Sequence, residues 1–204
     1  MVPQFFLDRR VHNGLTYENF LQLMKQHTED PGIEHFENIK LNAHRTERIM
    51  KTYEVKPEIK ELIAKITTRQ IWMVLTEDWC GDSAQNLPVI VKIAECNPLI
   101  DLRVLLRDEN LDIMDLYLYN GKSRSIPKVV AFDEAGNELF QWGPQPEKAR
   151  ELVQKSKEEG KSKDEYIKDL HLWYGRNRGK DVEEEFLKII EKLVSASATY
   201  SEKS

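Results

Sequence analysis

An unbroken apolar run, Ile71-Trp72-Met73-Val74-Leu75-Thr76, sits in the middle of a chain in which 32% of residues are charged. A strand with one wet face alternates apolar and polar residues; this run does not, so both of its faces must be covered. That requirement points to an α/β architecture with helices on both sides of a sheet. The flanking pattern agrees. Cys80 to about Glu95 reads as a helix and Leu102–Leu106 as a second strand. A short helix over Leu111–Tyr119 and a third strand over Pro127–Phe132 follow. Glu134-Ala135-Gly136-Asn137 is a turn, Glu138–Trp142 the returning strand, and Pro146 opens a helix through about Lys157. The order is β-α-β-α-β-β-α over residues 69–157, with four strands in a mixed sheet.

The flanks lose the strand pattern. Residues 1–68 read as helical. Phe20, Leu23 and Met24 share one face behind Thr16 as N-cap, and a second helix spans about Leu41–Tyr53. Pro57 stands at the first turn of a third helix whose buried stripe is Ile59, Leu62, Ile63 and Ile66. Residues 158–204 form a C-terminal helical extension, with helices over Asp164–Tyr174 and Asp181–Leu193 and a small, polar tail from Ser195 to Ser204 expected to fray.

Several function classes are disfavoured. A net charge of −5 argues against a nucleic-acid binder, and the basic cluster at Arg176, Arg178 and Lys180 reads as a solvated loop. No run approaches the ~18 apolar residues of a membrane helix, and Met1–Arg10 does not read as a secretory signal. Two cysteines make no disulfide framework, so a cytoplasmic location is expected. The five histidines, His12, His27, His35, His44 and His171, are scattered without metal-ligand spacing and are expected on the surface or in helix packing. There is no phosphate-binding glycine loop, and neither metal nor cofactor is expected.

Cys80 stands where a buried strand turns into a helix. Amide groups and the positive helix end at that position stabilise a thiolate and lower a thiol's pKa. Gly81 permits close approach of another chain, Asp82 opposes the thiolate if it points inward, and Ser83 offers a hydroxyl but no second thiol. Cys96 lies roughly 24 Å away along the same helix and cannot close a disulfide with Cys80.

Glu77-Asp78-Trp79-Cys80-Gly81-Asp82-Ser83 resembles the W-C-G-x-C active site of the thioredoxin family with its last cysteine replaced. Pro88 matches the proline that kinks the family's active-site helix, and Arg124-Ser125-Ile126-Pro127 resembles its cis-proline loop. Gly136 and Gly143 match the hairpin glycine and the glycine after the last strand. Trp142-Gly143-Pro144-Gln145-Pro146 is similar to a bacterial branch with helical extensions. The resemblance covers roughly residues 69–157 and implies a thioredoxin-like fold. It departs from dithiol members at Val74 and, on the neighbouring strand, Val104, where they carry a buried carboxylate and a lysine to handle the resolving cysteine's proton. Loss of these groups together with the second thiol is coherent, because a buried carboxylate without that task only incurs desolvation.

The resemblance implies a monothiol thiol-disulfide exchange protein. Cys80 and Ser83 would be catalytic, and Trp79, Gly81, Asp82, Ile126, Pro127 and Lys128 would contact substrate. Lys128 could offset Asp82, or equally be a surface lysine. Protein disulfides or glutathione are the expected partners, and a homodimer through the extensions is one expected assembly. Two other functions stay open: a non-catalytic module that docks a peptide beside Cys80 and Pro127, and a glutathione-dependent iron–sulfur carrier.

Overall fold

The computed structural model describes residues 2–201. The elements in chain order are α1 (Gln4–Leu7), α2 (Tyr17–His27), α3 (Phe36–Thr52), α4 (Pro57–Ile63), β1 (Gln70–Thr76), α5 (Gly81–Ala94), β2 (Ile100–Leu106), α6 (Leu111–Met114), β3 (Lys128–Asp133), β4 (Glu138–Trp142), α7 (Glu147–Glu158), α8 (Lys163–Asn177) and α9 (Lys180–Ser201). The sheet has four strands in the order β2-β1-β3-β4. β2 runs parallel to β1, while β3 and β4 are antiparallel to their neighbours, so the sheet is mixed as expected.

β1 is buried along its whole length. Its period of two sends Trp72 and Val74 to one face and Ile71, Met73 and Leu75 to the other. The first face packs against residues of α2, α3, α4, α5 and α9. The second packs against Phe5 and Phe6 of α1, Ile113 and Met114 of α6, and Tyr117. Residues of both flanks therefore complete the core of the middle segment. Leu15 also exchanges two 2.8 Å backbone hydrogen bonds with Val104, covering part of the outer edge of β2.

Local chemistry sets the helix ends. Thr16 accepts the Asn19 amide hydrogen at 3.1 Å and caps α2. Pro57 occupies the first turn of α4. Ser162 and Glu165 form a reciprocal capping box at α8, one residue earlier than the sequence pattern predicts. Three boundaries differ more. α3 begins at Phe36 instead of Leu41; its first turn mixes apolar and polar residues and buries only Ile39, so it leaves no helical stripe to read. α6 ends at Met114 instead of Tyr119. The tail does not fray at Ser195, since α9 continues to Ser201; residues 202–204 lie outside the described residues.

Phe186 fastens α9 to the sheet. It is fully buried and meets the rings of Trp72, Phe140 and Trp142 at centroid distances of 5.7, 6.0 and 5.6 Å. The preceding residue, Glu185, accepts from Trp142 Nε1 at 2.7 Å and from the Glu147 amide at 2.6 Å, tying α9 to the end of β4 and the start of α7.

Candidate functional site

β1 delivers the chain into Glu77-Asp78-Trp79, and Cys80 becomes the N-cap of α5. The Ile126–Pro127 peptide is cis, as the resemblance implied, and so is Gly143–Pro144. Cys80 Sγ donates to the Ile126 carbonyl oxygen at 3.4 Å. Thr76 Oγ1 donates to Ser83 Oγ at 2.6 Å, and the Ser83 hydroxyl is hydrogen-bonded to the thiol. Val74 and Val104 are directly paired across β1 and β2 and both are fully buried, so the proton-handling positions form an apolar pair.

Cys80 is only 8% exposed. Burial, reinforced by the nearby Asp82 carboxyl, pushes its pKa up to about 11, against hydrogen bonds from Ser83 and the Asp82 amide that favour the thiolate. The direction is opposite to that expected from the helix end alone. Desolvation of the charged form outweighs the amides because the site is covered.

The cover is the chain itself. A Cβ added at Gly81 would stand 2.9 Å from His171 Cε1, so the close approach that Gly81 permits is taken by α8. Asp82 is turned inward: Tyr174 Oη donates to its Oδ1 at 2.7 Å and Gln145 Nε2 to its Oδ2 at 2.8 Å. Asn86 Nδ2 donates to Tyr174 Oη at 3.0 Å, which extends the network along α5. Arg45 of α3 is the cation that favours the Asp82 carboxylate; Lys128 is influenced instead by Glu138 on β4. Trp79 is half-buried, its ring 5.0 Å from His35 and 5.0 Å beneath the Arg107 guanidinium. The loop is held further by His27 Nδ1, 2.6 Å from Asp78 Oδ2, and by Asn42 Nδ2, which donates to the Asp78 carbonyl at 2.9 Å. The Asp108 amide donates to Glu77 Oε1 at 2.8 Å, yet burial still raises the Glu77 pKa to about 7.

Thus Cys80, Ser83, Gly81, Asp82, Ile126 and Pro127 come together, Trp79 lies at their edge, and Lys128 is not the partner of Asp82. Cys96 is remote, in the turn just past α5, donating to Lys92 O at 3.2 Å. Residues missed from the sequence are Arg45, Gln145, His171 and Tyr174. The spacing of His171 and Tyr174 puts them on one helix face, but nothing local says that this face meets Asp82. Among the described residues no group of three or more His, Cys, Asp or Glu side chains could hold a metal ion.

The network makes stability pH-dependent. Burial raises the Asp82 pKa from 3.8 to about 6, so the folded state keeps a proton the unfolded chain has lost; its contribution declines as pH rises from about 4 to 6. His171 is pushed from 6.5 to about 4 by burial and Arg45, so its contribution grows over nearly the same range. Glu77 acts like Asp82, from 4.5 to about 7. Replacing Asp82 by Asn removes one declining contribution. Urea unfolding at pH 4, 5 and 6 should show D82N gaining on the wild type by about 1 kcal/mol per pH step. A constant difference would contradict the buried, proton-retaining carboxyl.

A family model described as thioredoxin matches residues 33–159. A comparison with curated proteins finds no significant match. Among solved structures, PA1234, a protein of unknown function from Pseudomonas aeruginosa, is similar with a TM-score of 0.61 at 18% identity, over 89% of this chain and 95% of that one. An HIV epitope-scaffold is similar with a TM-score of 0.60 at 19% identity, also over 89% and 95% of the two chains. Both likenesses extend beyond the central segment, so they share the fold together with much of its helical surround. Among the described residues no helix is long and apolar enough to cross a membrane. With the strand order, the Cys80 helix end, the cis-Pro127 loop and the family match in agreement, the chain belongs to the thioredoxin family.

Proposed function

We propose that the chain is a non-catalytic thioredoxin-fold binding protein in which its own helices fill the substrate groove and Cys80 is a neutral, resting thiol. The observation that carries this is the seat of His171 against Gly81, next to a thiol that is only 8% exposed. Thiol-disulfide exchange needs a thiolate with a free line of approach. Burial opposes the first, and α8 opposes the second. The Ile126 carbonyl, which an extended substrate could pair with, already accepts the Cys80 S–H. A cluster-carrying role needs the same exposed thiolate, and the same burial weighs against it. Monothiol exchange keeps one supporting observation, the Ser83 hydroxyl beside the sulfur, and requires α8 to move.

Incubation of a Cys96→Ser chain with oxidised glutathione at pH 7.5, followed by intact mass, tests this. Native chain should stay unmodified over a time in which urea-unfolded chain is converted to the mixed disulfide. Rapid formation of that adduct on native chain would restore the exchange function.

A further inference from the structure

A second site lies behind the Cys80 network. A cleft of about 710 Å³ opens between α3, α5, the end of α8 and the start of α9, within the size range of small-molecule sites. Arg48, Lys56, Arg178 and Lys180 line it, against two carboxylates, Glu54 and Glu183. Glu183 is already neutralised: Lys56 Nζ lies 2.5 Å from it, and Tyr53 Oη and the Lys56 amide donate to it at 2.9 and 3.1 Å. Lys180 is 3.7 Å from Glu184. The guanidinium groups of Arg48 and Arg178 have no carboxylate partner among the described residues.

Gln85 supplies an independent sign. It is only 5% exposed, lines the cleft, and its side-chain amide has no hydrogen-bond partner among the described residues. The amide atoms are open to the cleft, so they are available to pair with a polar ligand there. Arg45 and Arg48, three residues apart on α3, also repel each other, and Arg48 helps lower the Arg45 pKa. A bound anion would relieve that repulsion.

We propose that this cleft binds a small phosphate-bearing anion, gripped by the Arg48 and Arg178 guanidinium groups with Gln85 as hydrogen-bonding partner at its floor. Planar guanidinium forks match phosphate oxygens in pairs, which favours phosphate over a simple point-charge ligand. The site shares only the Tyr174 wall with the Cys80 network, and it stands whether or not Cys80 proves reactive.

Inorganic pyrophosphate and inorganic phosphate are the probes, titrated calorimetrically into the full chain at fixed ionic strength. Saturable one-to-one binding is expected. The double variant Arg48→Gln/Arg178→Gln should weaken it at least about tenfold, with ligand-free melting unchanged because both side chains are exposed. Gln85→Leu should weaken it as well, while Lys122→Gln, far from the cleft, should not. Absence of saturable binding by either probe, or binding indifferent to the arginine pair, would overturn the assignment.

Discussion

Phe186→Ala should destabilise the chain by about 3–5 kcal/mol, the usual loss for a fully buried phenylalanine. The ring has no exposed surface and touches three other aromatic side chains, one each on β1, β3's hairpin partner β4, and the end of β4. Its removal therefore leaves a cavity bounded by rings that are fixed to the sheet and cannot easily collapse inward. Urea unfolding at neutral pH measures the loss. The larger consequence concerns the C-terminal extension. If α9 is part of the core, the variant should unfold in one transition at lower denaturant. A separate early transition for α9, with the remainder as stable as before, would show that the extension is an appendage.

Gly143→Ala is expected to cost at least about 3 kcal/mol or to prevent folding. Gly143 has a φ of +118°, a region that side chains rarely adopt, and an added Cβ would overlap the Pro127 carbonyl oxygen. The obstacle is backbone, so no side chain can rotate to make room. Relief would have to come from the Ile126–Pro127 loop, which holds the acceptor of the Cys80 thiol. Thermal melting reports the stability change. A G143A chain within about 1 kcal/mol of wild type would mean that β4 and the cis-Pro127 loop are not packed as described.

Much of this architecture could be read from local pattern. The run Ile71–Thr76 demanded a two-sided central strand because nothing polar interrupts it, and both faces are indeed covered. Thr16 and Pro57 announced helix starts through capping chemistry that acts within one turn. The cis peptide before Pro127 followed from the family resemblance and its loop. The cover over Cys80 was not legible. Tyr174 reads as one member of an apolar stripe with Tyr166, Leu170 and Trp173, and its hydroxyl finds a carboxylate 92 residues away in sequence. His171 carries no motif at all. The pKa direction at Cys80 was missed for the same reason: the helix end can be seen in sequence, whereas the burial that overrides it is made by a distant helix. Lys128 shows the converse. It follows the cis-proline as a substrate-contacting residue might, but Arg45, from a helix far upstream, stands by Asp82.

The protein's own fold buries Cys80 and holds it neutral. Iodoacetamide labelling of Cys80 against pH, in a Cys96→Ser background with Cys80→Ser as the blank, tests it most directly. The rate should rise only toward an apparent pKa of about 11. At pH 8 it should fall about a hundredfold below that of an unhindered cysteine. Rapid labelling at pH 7, with an apparent pKa at or below about 8.5, would contradict the claim and make Cys80 a working nucleophile.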